Sequence, residues 1–199
     1  MATISFKPKH ITKKLTSHLN ERAGDVIMNR FGLLADGERR TLEEIGKKYN
    51  ITRERVRQVE EAAMNLIKKS ASFKSEQAIF DELKGVVHSL GTIVAEHDLL
   101  PHISKDKNIQ NHVHFLLVIS DVFKKHREDD HFHPRWSVDD EVTDKVHDSI
   151  RKLYASLNDE DLIPEGEMIK RFLDQLKDVS DKYKNEEVIK RWLSLSKRI

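Results

Sequence analysis

The sequence predicts a mainly α protein: a helix-turn-helix followed by tandem winged-helix-like modules, with one small β-hairpin wing. Three observations predict it. Two short apolar stripes of helical spacing stand on either side of Asn50. Three further helix patterns lead to a strand-like alternation around Trp136. The order of elements in residues 74–138 then recurs in residues 140–199. The expected domains are 8–70, 74–138 and 140–199.

Leu42, Ile45 and Tyr49 fall three and four apart and give the first helix of the motif one apolar stripe. Thr41 can cap that helix, with Glu44 three residues on to complete a capping box. Asn50 marks the turn, because Asn tolerates a left-handed backbone better than most residues. The second helix starts near Thr52, with Val56, Val59, Ala63, Leu66 and Ile67 expected to point inward. A helix turns by roughly 100° per residue, so Glu54, Arg57, Gln58 and Glu61 project the opposite way. Arg53 stands at the amino end and Arg55 near the flank. Arg suits guanine, Gln suits adenine, and Glu accepts from the cytosine amino group. The face therefore has the chemistry of duplex reading, by Arg53, Glu54, Arg57 and Gln58. The plainer alternative is a solvated charged face laced with ion pairs, but the turn, the cap and the preceding helix all agree with the first reading.

The run GERRTLEEIGKKYNITRERVRQVEEAAMNLIKK closely resembles the fourth region of housekeeping-type sigma factors of bacterial RNA polymerase, and the upstream LNERAGDVIMNRFGL resembles the first half of that region. The resemblance covers about residues 10–70, a third of the chain, and TRERVRQVE is a very specific string. It implies that the second helix reads the −35 promoter element and that the domain docks on the polymerase flap. By position it makes Arg53, Glu54 and Gln58 base readers, and Thr52, Arg55, Arg57 and the Arg39–Arg40 pair phosphate contacts. The helix face keeps Arg57 among the base readers, and Thr41 joins Arg39, Arg40, Thr52 and Arg55 as an expected phosphate contact. Asn50 replaces the glycine common at the turn, and Gly24 is expected to interrupt the upstream helix.

Beyond Ser70-Ala71-Ser72, expected as a linker, Ile79, Leu83, Val86, Val87 and Leu90 form a helix pattern that stops at Gly91. A short extended segment, Thr92–Ala95, leads into EHDLLPHI, and Ile109, Val113, Leu116 and Leu117 carry a third helix. Val122–Arg127 and Phe132–Val138 then flank the turn Glu128-Asp129-Asp130, and Phe132, Pro134, Trp136 and Val138 alternate with polar residues as in a strand. The segment LKGVVHSLGTIVAEHDLLPHI aligns with IRKLYASLNDEDLIPEGEMIKRF, and Asn108 to Phe115 matches Asn185 to Trp192. Residues 140–199 are thus expected as a divergent second copy, built on Val142, Val146, Ile150, Leu153 and Leu157, then on Ile169, Phe172, Leu173 and Leu176. Ile199 corresponds to Val122 on this alignment, so the sequence stops before a second wing: either the copy is wingless or the sequence was cut there. Ordinary amphipathic helices of similar length, aligned by chance, remain the alternative. The first copy, ending in FHPRWSV, resembles the small winged-helix domain of the polymerase delta subunit, the HARE type; a fourth region followed by such modules resembles the arrangement of sigma-like proteins.

The composition bounds the rest. Residues 1–70 hold 15 Lys/Arg against 9 Asp/Glu, and residues 71–199 hold 20 against 25. Phosphate binding needs local positive charge, so contact with double-stranded DNA belongs mainly to the first third, and the acidic remainder points to protein partners. Absence of cysteine excludes disulfides and Cys-based zinc sites and fits a reducing cytoplasm. No apolar run approaches the ~20 residues that span a bilayer. His112-x-His114 would lie about 200° apart on a helix. His131-x-His133 shares a strand face but has no third ligand at obvious spacing, so no metal and no cofactor is expected. Glu128–Asp130 and Asn158–Asp161 look like solvated turns, and Trp136 and Trp192 like core anchors. Phosphate-binding glycine loops and nucleophile elbows are missing, so an enzyme is not expected. The expectation is sequence-specific promoter binding with RNA polymerase, by a sigma-like factor or regulator. A stand-alone repressor, or a polymerase accessory protein acting by protein contact, stays open beside it.

Overall fold

The computed structural model describes residues 4–157, 163–176 and 179–198. Its elements run α1 (Pro8–Thr16), α2 (Glu21–Phe31), α3 (Leu42–Tyr49), α4 (Arg53–Lys69), α5 (Ala71–Ser75), α6 (Gln77–Ser89), β1 (Ile93–Ala95), α7 (Glu96–Ile103), α8 (Lys107–Ile119), β2 (Lys124–His126), β3 (Arg135–Ser137), α9 (Asp140–Ala155), α10 (Glu165–Gln175) and, after a 3-10 turn at Asp181–Tyr183, α11 (Glu186–Leu193). Among the described residues the protein is mainly helical, as the periodicities predict, and β1 joins the expected hairpin to make a three-stranded antiparallel sheet. No helix among the described residues is long and apolar enough to cross a membrane. The expected turn at Asn158–Asp161 lies outside the described residues.

The chain divides into two compact units, Met1–Leu83 with Leu100–Val122, and Lys84–Leu99 with Phe123–Ile199. This division does not run along the sequence-read boundaries, because residues 74–138 contribute to both. The physical reason is burial. Residues 111–117 of α8 are buried on every side, and the helix packs on α1 and α2. There Phe115 meets Phe31 edge-on at 5.1 Å. Strand β1 instead joins a core with α9, α10 and α11, through Ile93, Ala95, Val146, Ile150, Phe172 and Trp192.

In the first unit Val26, Ile45 and Val56 form a small core with Leu42, Tyr49, Ile51 and Val59 packed against it. These residues tie α2, α3 and α4 together as the apolar stripes require. Two expectations need correction here. Leu66, expected inward, is 54% exposed, while Ile67 is buried; the inward line of α4 runs Val56, Ala63, Ile67, a strict i, i+7, i+11 progression that leaves Leu66 on the rim. Gly24 does not interrupt α2, which runs unbroken from Glu21 to Phe31. Packing of Ala23, Val26, Ile27 and Phe31 outweighs the weak helix propensity of one glycine.

The expected linker at residues 70–72 is also replaced by structure. Ser70 ends α4 and caps α5, its hydroxyl accepting from the Phe73 amide at 3.1 Å. Phe73 then packs on Phe80 with ring centroids 5.1 Å apart.

In the second unit the strand order is β1-β3-β2, with Trp136 opposite both Val94 and Lys125. The alternation expected around Trp136 is absent: Arg135, Trp136 and Ser137 are all buried. As the central strand, β3 has neighbours at both edges and cover on both faces, so the polar positions sink with the apolar one. They are satisfied by bonding. The Arg135 Nε donates to His147 Nε2 at 2.7 Å, and the Trp136 indole donates to Glu96 at 2.8 Å. Trp192 is fully buried, its indole donating to the Gly91 carbonyl at 3.0 Å.

Candidate nucleic-acid interface

The helix-turn-helix is fixed by local chemistry at each joint. Thr41 and Glu44 form the capping box: the Thr41 hydroxyl accepts from the Glu44 amide at 3.2 Å, and the Thr41 amide donates to the Glu44 carboxylate at 2.7 Å. That backbone donor holds the Glu44 carboxyl below its ordinary range. Asn50 is left-handed, at φ 51° and ψ 48°, and its amide closes onto Gly46 and Lys47. Gly46 lies directly under the turn; a Cβ there would meet the Ile51 carbonyl oxygen at 2.7 Å. Thr52 caps α4, its hydroxyl accepting from the Arg55 amide at 3.1 Å.

The four expected base readers share one exposed face of α4. Glu54 and Arg57 leave 60% and 53% of their side chains open, so a groove could reach both. Arg53 and Gln58 are exposed beside them. They are not independent. Arg57 donates to both oxygens of Glu54, at 2.8 and 3.0 Å, and reaches Glu61 at 3.2 Å. Its guanidinium holds the Glu54 carboxyl below its ordinary range, with a further hydrogen bond from Gln58. The Gln58 oxygen in turn accepts from Arg55 at 3.0 Å, which joins a flank residue to the reading face. Exposed pairs of this kind bind weakly, so a duplex could displace them at little cost. Arg53 makes no hydrogen bond or ion pair among the described residues, and lines a cleft with Arg30, Thr41, Leu42 and Glu43.

The expected phosphate contacts differ in what they have left to give. The Thr52 hydroxyl accepts from Arg55, so its own proton is uncommitted. Thr41 commits both hydroxyl and amide protons to Glu44. Arg40 pairs with Asp36 at 2.8 Å on the surface, and Arg39 donates from Nε to Asn111 at 3.0 Å.

Sequence reasoning missed the residues that hold these elements in place. Arg30 bonds Glu60 of α4 at 3.0 Å and the Arg40 carbonyl at 2.7 Å, linking the loop before α3 to α4. Asp25 of α2 accepts from Lys48 and Tyr49 of α3, each at 2.7 Å. Burial alone would push the Asp25 carboxyl up, but these two donors bring it below its ordinary range. Asp25 lies on the polar side of α2, away from the stripe of Ala23, Val26, Ile27 and Phe31, and nothing in the sequence singled it out. For Arg30 the available signal was a charged residue within that apolar stripe, three and four residues after Ile27 and Val26, although its partners are fixed only in three dimensions. Among the described residues no group of three or more metal-ligating side chains gathers. His131 stands by Tyr154 and His133 by His97, so the two face different neighbours.

Residues 17–69 match the family model described as Sigma-70, region 4. The RNA polymerase sigma factor RpoD of Helicobacter pylori is 54% identical over 56 residues, 28% of this chain and 8% of that protein. The RNA polymerase sigma factor SigA of Clostridium acetobutylicum is 41% identical over 68 residues, 34% of this chain and 18% of that one. For SigA4 of Synechococcus elongatus the identity is 50% over 52 residues, 26% and 16% respectively. The chain therefore spans less than a fifth of the length of these relatives. No solved structure matches. Helix α4 falls wholly inside the matched stretch, and a sigma-70 region 4 domain thus occupies residues 17–69.

Proposed function

We propose that this protein binds promoter DNA sequence-specifically, with α4 in the major groove over a −35-like element. It acts in bacterial transcription initiation in the cytoplasm, with RNA polymerase, as a sigma-like factor or regulator. The observation that carries the reading is the open face of α4: Arg53, Glu54, Arg57 and Gln58 point into solvent from a helix whose other side is locked by Val56, Ala63 and Ile67. The names of the similar proteins, each an RNA polymerase sigma factor, support the choice of partner. Mechanism here is recognition. Arg39, Arg40, Thr52 and Arg55 position the helix on phosphates, Thr41 shapes the approach by capping α3, and the four readers specify bases.

The remaining two thirds we read as HARE-like winged-helix modules, 74–138 and a divergent copy at 140–199, that engage polymerase or another protein. Support for the first is its element order, α6-β1-α7-α8-β2-β3, and a sheet in which the third strand sits between the other two. For the second it is the succession α9, α10, α11. The test is selection of bound sites from random duplexes by the full chain, with and without core polymerase. A −35-like sequence enriched only with polymerase supports the reading; enrichment without it moves the protein to the stand-alone repressors. No enrichment in either arm removes DNA reading altogether.

A further inference from the structure

Two left-handed glycines, Gly32 at φ 63° and Gly37 at φ 66°, shape the loop that carries Arg39 and Arg40 from α2 to α3. That loop is held by a residue outside the sigma-type domain. Asn111, buried in α8, donates its amide to the Gly32 carbonyl at 3.1 Å and to the Gly37 carbonyl at 2.8 Å, while its oxygen accepts from Arg39 Nε at 3.0 Å. One helical turn earlier, Asn108 donates to the Leu34 carbonyl at 2.7 Å. The fit is close. A Cβ on Gly32 would stand 2.8 Å from the Asn111 amide nitrogen and from the Gly37 oxygen, and 3.0 Å from Arg39 Cγ. Loop, arginine and asparagine thus converge on one point.

Energetics favour a specific purpose for this arrangement. A buried amide costs free energy unless its donors and acceptor are all engaged. Among the described residues, every hydrogen bond of its side chain is to the Arg39 loop. An apolar residue would fill the site as well if only packing were at stake. The bonds instead fix two things that packing cannot: the loop's conformation and the direction in which Arg39, an exposed residue, leaves it.

We propose that Asn111 is a positioning residue for DNA binding: from α8 it aims Arg39 at the duplex backbone and sets the loop that presents Arg40. Asn108 supports it at the loop's other end. This rests on the DNA reading above and extends the binding apparatus beyond residues 17–69, so that α8 is part of the promoter-binding unit rather than a separate partner surface.

The experiment uses the full chain, with core polymerase present where selection required it, and fluorescence-anisotropy titrations across salt, on a duplex chosen by selection and on a scrambled one. Asn111→Ala is expected to weaken both duplexes alike, by about fivefold near physiological salt, and to flatten the salt dependence by about one phosphate contact. Asn108→Ala, a change at a partly exposed position, is expected to do the same to a smaller extent and serves if Asn111→Ala does not fold. In an Arg39→Ala background each should cause a clearly smaller further loss than in the wild-type chain, because only the presentation of Arg40 remains to be disturbed. If Arg39→Ala weakens binding while both asparagine variants bind normally, the positioning role is overturned and the DNA reading stands. Losses that simply add to that of Arg39→Ala overturn it too, by making the clasp a matter of stability. If Arg53→Ala and Arg39→Ala also leave binding unchanged, the DNA reading itself fails and takes the inference with it.

Discussion

Arg53 and Glu54 are neighbours at the start of α4, yet only one of them is engaged by hydrogen bonds. Glu54 is held by Arg57 and Gln58, whereas the Arg53 guanidinium meets no such partner among the described residues. Arg53 can therefore enter a groove without breaking anything first. Arg53→Ala is expected to cost roughly 1–3 kcal/mol on the preferred duplex and to relax selection at one base pair. Equal loss on every sequence would instead make Arg53 a phosphate contact. Glu54→Ala should behave differently. It removes a negative charge from the face and frees Arg57 to find a phosphate, so affinity for scrambled duplex should rise and its salt dependence steepen. The same titrations check it, and unchanged non-specific binding would show that Arg57 stays with Glu61. The ion pairs on this face are the bland arrangement that any charged helix could show; what distinguishes it is that they cover a surface nothing else buries.

At the scale of elements, α3, its turn and α4 depend on a close approach at Gly46, and α2 tolerates a glycine it does not need. A Cβ at Gly46 would press on the Ile51 oxygen, which belongs to the turn itself, whereas a Cβ at Gly24 would meet nothing within 4 Å. Gly46→Ala is expected to destabilise the protein by about 1–3 kcal/mol, as overpacking at a rigid contact does. Gly24→Ala should stabilise it by roughly 0.5–1 kcal/mol through helix propensity alone. Urea titrations followed by far-UV circular dichroism will show opposite shifts of the midpoint; shifts of the same sign would mean that the turn geometry is wrong. Element α8 illustrates the converse. Its apolar run predicts a helix, but a helix buried on every side has no single stripe to say which neighbours will cover it.

For the whole molecule, two buried imidazoles make stability depend on pH. Burial pushes His147 down to about 3, with Arg135 and His126 adding to it, and pushes His112 down to about 4 with help from Lys9. Both lie below the ordinary histidine value of 6.5. The unfolded chain therefore takes up protons first as the pH falls, and the stability of each unit is full above about 6.5 and declines from there toward 4 and 3. His147 lies in the unit that also holds Trp136 and Trp192, the two tryptophans of the sequence. Tryptophan fluorescence during denaturation thus reports that unit selectively. Its midpoint is expected to fall between pH 7 and pH 5, and His147→Gln to flatten the dependence even if the absolute stability drops. A midpoint that does not move over this range would show that His147 is not buried in its neutral form.

The division of labour between sequence and tertiary structure follows from the range of the forces involved. The helix-turn-helix was legible because its determinants are local: the Thr41–Glu44 box, the left-handed Asn50, the Thr52 cap and two short stripes act within a few residues of themselves. The same locality made Arg53, Glu54, Arg57 and Gln58 readable as one face, since helix geometry alone places them. What the chain order concealed was everything set by long-range burial. Central placement drowned the alternation of β3, an i, i+7, i+11 line kept Ile67 and left Leu66 outside, and α8 was claimed by α1 and α2. Hydrogen bonds such as Asn111 to the Arg39 loop span more than seventy residues, and no periodicity encodes a partner that far away.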